Sequence, residues 1–182
     1  MPLKIAYQGE PGANSHIACI EAYPTYEPMP CGTFEDAFQA VADGEAALAM
    51  IPIDNSVAGR VADIHHLLPR SNLFIIGEHF LPVPHQLMTV PGTDPGAVKS
   101  VHSHVHALGQ CRKVIRELGL KPVVAADTAG AARELSQSRD TSRAAIASRL
   151  AAEIYGLKVV RENIEDESHN TTRFVVLSAT PQ

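Results

Sequence analysis

Ala46-Ala47-Leu48-Ala49-Met50-Ile51-Pro52-Ile53-Asp54-Asn55-Ser56-Val57-Ala58-Gly59 carries eight apolar residues in a row and then turns polar at once. An unbroken apolar run of that length reads as a strand covered on both faces, the kind found in α/β sheets with helices above and below. In open sheets of this class, ligands bind beyond the carboxyl ends of the strands. The carboxylate of Asp54, the amide of Asn55, the hydroxyl of Ser56 and the glycine at 59 therefore stand where a ligand is expected. The same residue types also make ordinary turns. A polar quartet set directly against a core strand favours the functional reading.

Working upstream, Leu3 to Gln8 reads as a strand, and the loop Gly9-Glu10-Pro11-Gly12-Ala13-Asn14-Ser15 leads into a helix over His16 to Tyr23 capped by Asn14 or Ser15. A glycine loop before a helix presents backbone N–H groups to an anion. It lacks the Gly-Lys-Ser/Thr ending of a nucleotide loop. Glu27 to Cys31 reads as a second strand, and Thr33 caps a helix closed by Gly44.

Downstream, a helix through Ile64, Leu67 and Leu68 stops at Pro69, and Leu73 to Ile76 is a strand. Leu81-Pro82-Val83-Pro84 reads as a stiff crossing between lobes. Strands are then expected over 86–90, 98–103, 123–126 and 144–147, with a return strand beginning at Val159. The spacing of Leu108, Cys111, Val114, Ile115 and Leu118 predicts one helix over 107–118, while Asp127-Thr128 and Ser148 cap two more. This alternation predicts two α/β subdomains with a cleft between them, the second (about 82–162) inserted into the first (about 1–81 and 163–182).

Composition sets the class. A chain of 182 residues with 45% apolar and 19% charged residues is that of an ordinary globular protein. Its net charge of −5, without a basic run, argues against nucleic acid. No segment has the apolar length to span a bilayer, and Cys19, Cys31 and Cys111 form an odd, scattered set. A cytoplasmic protein with free thiols is expected.

Near the end, Asn170-Thr171-Thr172-Arg173-Phe174 stands at the mouth of another buried strand, Val175-Val176-Leu177. Hydroxyls, a guanidinium and a ring in one short segment can hold an anion, lend a proton and exclude water. A strand opening with two threonines and a solvent-facing arginine is the bland alternative. His102, His104 and His106 would share one face of a strand, as a metal site requires, but a helix starts near Val105 and no partner ligand has convincing spacing. No metal or cofactor is expected. A serine hydrolase is disfavoured, since no Gly-x-Ser-x-Gly elbow occurs.

Taken in order, these segments resemble the catalytic domain of prephenate dehydratases over essentially the whole chain. The resemblance rests on Gly9-Glu10-Pro11-Gly12-Ala13 with Ser15, and on Ile51-Pro52-Ile53-Asp54-Asn55-Ser56 with Gly59 and Val61. It continues through Ser103-His104 with Ala107-Leu108-Gly109-Gln110-Cys111, Asp127-Thr128-Ala129, Ala144 to Ser148 and Tyr155-Gly156-Leu157, and ends at the Thr172-Arg173-Phe174 signature. It implies conversion of prephenate to phenylpyruvate with loss of carbon dioxide and water, in phenylalanine biosynthesis. It implies two α/β subdomains similar to type II periplasmic-binding-protein architecture, and a homodimer or homotetramer.

For the site, the resemblance implies that Thr172 assists the departing hydroxyl, Arg173 holds a substrate carboxylate and Phe174 packs beside the cleft. Asn55, Ser103 and Gln110 become hydrogen-bonding contacts, Asp54 and Asp127 the acidic positions, and Ser15, Ser56, His104 and Thr171 further substrate contacts. Because a threonine hydroxyl is a poor acid, Thr172 is expected to act as an oriented donor. Three features depart from the pattern. Asp54 stands where the family has glutamate and reaches about 1.5 Å less. Val105 replaces a proline, and the chain ends shortly after Leu177, where family members continue into a phenylalanine-binding ACT domain. Prephenate decarboxylase, arogenate dehydratase and a non-catalytic anion-binding module are the rival readings.

Overall fold

The computed structural model describes residues Met1–Gln182, which divide into two compact units. Unit 1 comprises 1–10, 14–83 and 169–182, and unit 2 comprises 11–13 and 84–168.

In unit 1, β1 (Lys4–Gln8), β2 (Glu27–Cys31), β3 (Leu48–Asn55), β5 (Phe74–Pro82) and β11 (Thr171–Ser178) form a sheet in the order β2-β1-β3-β11-β5, and the two-residue β4 (Gly59–Arg60) pairs with β3. Strand β1 runs parallel to β2 and β3, whereas β11 is antiparallel to both β3 and β5. Proline supplies no N–H to a ladder, and Pro28, Pro30 and Pro82 all lie on the two edge strands. Pro52, in the inner strand β3, sits beside a bulge: Arg173 pairs with Asp54 and Phe174 with Pro52, which leaves Ile53 outside the ladder. The Ile53 carbonyl instead accepts from the Val61 N–H at 2.9 Å. Bulges twist a strand and re-aim the residues after it, here Asp54 and Asn55.

The apolar run of β3 is buried as expected, with Leu48, Ala49, Met50 and Ile51 at 3% exposure or less. Helix α2 (Phe34–Ala42) packs Ala37, Phe38 and Val41 against it, with the Thr33 hydroxyl accepting from Asp36 N–H at 3.0 Å and Gly44 at φ +77° closing the last turn. Helix α1 (Asn14–Ala22) begins at Asn14, so its cap lies earlier than the sequence implied. Helix α3 (Ala62–Leu67) gives way to a 3-10 turn containing Pro69, because a short 3-10 turn tolerates proline at its start. The strand expected to stop at Ile76 continues to Pro82, since β11 offers a full-length antiparallel partner.

Unit 2 holds β6 (Gln86–Thr89), β7 (Ser100–Ser103), β8 (Lys121–Val124), β9 (Arg143–Ala147) and β10 (Lys158–Arg161) in the order β10-β6-β9-β7-β8. Alternation sorts its core into two layers: Leu87, Val101, Ala144 and Ile146 on one face, Met88, Val90, Ala145 and Ala147 on the other. The helix expected over 107–118 is two helices, α4 (Val105–Gln110) and α5 (Arg112–Glu117), broken at Cys111 with φ −126° and ψ 32°. The cause lies far along the chain. The Asp166 carboxylate accepts from the N–H groups of Arg112 and Lys113 at 2.9 and 3.0 Å, starting a second helix where one would otherwise continue. Leu118, assigned to the buried face, is 41% exposed, and Leu120 fills the core instead. Strand β8 starts two residues before the expected segment.

Helices α6 (Thr128–Ser138) and α7 (Arg149–Tyr155) are capped by Asp127 and Ser148. Ser148 also donates to the Gly12 carbonyl at 2.5 Å, and Tyr155 to that of Pro11 at 2.7 Å. Those bonds hold residues 11–13 to unit 2.

Candidate active site

In unit 1 the bulge in β3 and the first residues of β11 bring Asp54, Asn55, Ser56, Asn170, Thr171, Thr172 and Arg173 together. Asn55 is the organising residue. Its Oδ1 accepts from the N–H groups of Val57 and Ala58 at 2.9 and 2.8 Å, which makes the turn after the strand. Its Nδ2 donates to Asn170 Oδ1 at 2.7 Å and to Thr172 Oγ1 at 2.9 Å. Ser56 ties its hydroxyl to the His169 carbonyl at 2.7 Å and receives the Thr171 N–H at 2.9 Å. Asn170 is buried, and its Nδ2 donates to the Val83 carbonyl at 3.2 Å.

Cross-strand register sets Arg173 opposite Asp54. Its guanidinium lies 3.9 Å from the Asp54 carboxylate and 3.3 Å from that of Glu78, all three side chains being 42–53% exposed. Glu78, on the neighbouring β5, was not singled out in the sequence because only the β5–β11 pairing brings it to Arg173. Phe174 is 1% exposed, a packed ring at the start of the apolar part of β11. Ser15, in the first turn of α1, is 8% exposed, and nearby His16 stacks on Tyr7 with ring centroids 5.3 Å apart.

In unit 2 the residues separate by role. Ser103 is fully buried and donates its hydroxyl to the Ile146 carbonyl at 2.7 Å, extending the β7–β9 register. That bond ties the two strands together. The Asp127 carboxylate accepts from the Gly130 N–H as the cap of α6. His104 Nδ1 accepts from the His106 N–H at 3.1 Å and caps α4. Burial, reinforced by the neighbouring His106, holds its imidazole below the ordinary range. His104 and His106 stack edge to face at 4.7 Å, whereas His102 bonds Ser100 and Arg143. The three rings do not converge, and no group of three potential ligand side chains is gathered anywhere in the chain.

Gln110 ends α4, and its Oε1 lies 2.7 Å from His85 Nε2. His85 is 4% exposed, and burial holds its imidazole below the ordinary value. No periodicity singles it out; the only cue in the sequence is a polar residue between Pro84 and an apolar strand.

An oriented hydroxyl, a locked amide and a guanidinium thus stand together at the end of a buried α/β strand. The prephenate dehydratase family model matches residues 5–182, and the chain belongs to that family. A relative from Komagataeibacter europaeus, named a bifunctional N-acyl-homoserine lactone acylase/prephenate dehydratase, is 50% identical over 177 residues, 97% of this chain and 63% of its own. Arogenate dehydratase 1 of Petunia hybrida is 45% identical over 98% of this chain and 43% of its own. Among solved structures, a prephenate dehydratase from Arthrobacter aurescens in complex with L-Phe superposes with a TM-score of 0.90 at 30% identity, covering 99% of this chain and 62% of that one. This chain thus spans between 43% and 63% of the curated relatives just named. No helix is long and apolar enough to cross a membrane.

Proposed function

We propose that the chain converts prephenate to phenylpyruvate, with carbon dioxide and water released as the ring becomes aromatic. The observation that carries this reading is the 2.9 Å bond from Asn55 Nδ2 to Thr172 Oγ1. Since Oγ1 accepts there, its own proton is directed elsewhere, toward an oxygen presented by a ligand. In the reaction the C–C bond to the departing carboxylate supplies the electron pair that completes the aromatic ring. The ring C–O bond breaks, and the leaving oxygen needs a proton or a strong hydrogen bond. An oriented hydroxyl fixed before the substrate arrives supplies that bond without reorganisation.

Arg173 is the anchor for a substrate carboxylate. Its contacts with Asp54 and Glu78 are between partly exposed groups, and such pairs contribute about 0–1 kcal/mol. A substrate anion can therefore displace or share them at small cost. Asp54 orients the guanidinium, and Ser56 and Thr171 hold the loop and strand on which Thr172 rides.

The test is incubation with prephenate at neutral pH and identification of products by mass, against an enzyme-free control because prephenate aromatises spontaneously in acid. Phenylpyruvate above background supports the reading, and Thr172→Val should lower kcat by about a hundredfold, as loss of an oriented transition-state donor does. Near-normal turnover by that variant removes the mechanism. A product that has lost carbon dioxide but kept its hydroxyl would make the chain a decarboxylase instead. Arogenate is assayed in parallel because of the Petunia relative's name, and an N-acyl-homoserine lactone because of the Komagataeibacter relative's. Cytoplasmic location belongs to the same reading and is supported by three buried, unpaired thiols. So does a homodimer or homotetramer, supported by Phe74, Ile75 and Phe80 exposed along the edge strand β5 and tested by light scattering.

A further inference from the structure

We propose that unit 2 carries a second ligand site: a cavity that takes a small monocarboxylic acid, packing its apolar body inside and holding its carboxylate on Arg161. All of its walls come from unit 2, and none of them is a residue assigned to the reaction. The cavity encloses about 270 Å3. Leu87 and Ala144, from one face of the sheet, form its floor, with Val98 and Leu120 beside them. Thr89, on the same strand as Leu87 and 4% exposed, adds a buried hydroxyl-bearing side chain to the same wall. Apolar walls with a few placed polar groups are the make-up of small-molecule pockets. For scale, a cavity of about 150 Å3 walled by leucine, isoleucine and phenylalanine takes up benzene, so this one has room for about ten non-hydrogen atoms.

A bulge brings the charge. Lys158 pairs with Thr89 and Val159 with Met88, but Leu87 is met by Arg161, which leaves Val160 as the extra residue. Without that irregularity Arg161 would fall on the Met88 face together with Val159, because side chains alternate along a strand. The inserted residue turns it to the face of Leu87 and Thr89, where the cavity lies. Edge strands such as β10 use bulges to re-aim side chains in this way. Arg161 is the one charged residue on the walls, so the cavity selects an anion over a cation. Its Nη1 donates to Glu117 Oε2 at 2.9 Å, between side chains 43% and 60% exposed. Exposed pairs of this kind hold weakly, and a guanidinium has further N–H groups in a fork that fits a carboxylate. Arg161 can therefore take a ligand's carboxylate while keeping Glu117. Next to that ion pair in the sequence, Leu118 and Val160 are both partly exposed and line the cavity as well, an apolar lip beside a charged one.

Hydrocinnamate, a single ring with a short chain and one carboxylate, is the ligand used to test the site. Titrated into the full chain and followed in 1H–13C methyl spectra, it should shift Leu87, Val98 and Leu120, with a dissociation constant of about 0.1–1 mM. Arg161→Gln should weaken binding by about 10- to 100-fold, and the parent should bind the uncharged hydrocinnamyl alcohol as weakly. Thr89→Val should cost about threefold, and Val160→Trp, at a partly exposed position on the lip, should block entry while the thermal midpoint stays near the parent's. Arg173→Gln is the control, and binding at the three methyl groups should survive it. Unchanged affinity in Arg161→Gln, equal affinity for acid and alcohol, or shifts confined to the neighbours of Thr172 each overturn the inference. So does an oligomer, seen by light scattering, that Val160→Trp converts to monomers, because the lip is then an interface between copies of the chain. Should Arg161→Gln not fold, the comparison of acid with alcohol on the parent decides the role of the charge. No turnover enters these measurements, so the site stands or falls independently of the prephenate assay.

Discussion

Replacing Asn55 by aspartate separates the two things that side chain does. The Oδ1 atom and its two accepted bonds, from Val57 and Ala58 at 2.9 and 2.8 Å, are retained, so the turn after β3 stays formed. What disappears is the Nδ2 donor to Asn170 Oδ1 at 2.7 Å and to Thr172 Oγ1 at 2.9 Å. Two lost hydrogen bonds are worth about 1 kcal/mol each, and opposing a carboxylate oxygen to the buried Asn170 amide oxygen adds about 1–3 kcal/mol. The unfolding free energy should fall by about 3–5 kcal/mol on that basis. Thr172 can then turn its proton to the new carboxylate instead of the substrate. Catalysis should suffer accordingly, with kcat down by about a hundredfold and KM nearly unchanged, as when an interaction made only in the transition state is removed. Asn55→Ala should match that loss of kcat and cost more stability, because it breaks the turn as well. Urea unfolding and steady-state kinetics on both variants give the comparison. If Asn55→Asp loses the stability but keeps kcat within a factor of two, Asn55 is a turn residue, and the orientation of Thr172 has another source.

Three further outcomes follow from the same geometry. Gly12 has φ +96°, and a Cβ there would lie 2.7 Å from Ala151 Cα, so Gly12→Ala should lower the thermal midpoint with a loss of about 2–4 kcal/mol. An unchanged midpoint would mean that residues 11–13 are not seated on α7. Asp54→Glu lengthens the side chain by about 1.5 Å and should close its 3.9 Å approach to Arg173, so kcat/KM should rise a few-fold; a tenfold loss refutes the assignment of Asp54 as the orienter of Arg173. Stability should also depend on pH through His85, whose folded-state affinity for a proton is lowered by burial against the opposing influence of Gln110 and Glu165. Above the ordinary imidazole value of 6.5 both states are neutral there and nothing changes. Below it the unfolded chain takes up a proton that the folded chain resists, so stability falls by up to about 1.4 kcal/mol per pH unit until the folded group titrates. Equal unfolding free energies at pH 5.5 and 7.5 would contradict this.

Local chemistry determined much of this protein from the sequence alone. The apolar run before Asp54, the capping residues Thr33, Asp127 and Ser148 and the closing Gly44 each act through neighbours a few residues away, so their effects are visible in a linear reading. The motif at Thr172 is legible for the same reason: its residues are adjacent. Tertiary structure decided whatever depends on partners distant in the chain. Asp166 splits a helix more than fifty residues earlier in the chain, a break that the apolar spacing of 107–118 conceals. Register on β5 brings Glu78 to Arg173, and the bulge at Ile53 sets Asn55 against Thr172. The same packing ties the Ser103 hydroxyl to the Ile146 carbonyl, a partner more than forty residues away that a linear reading does not show. His85 is the clearest case: only folding buries its ring and brings Gln110 Oε1 to 2.7 Å from it.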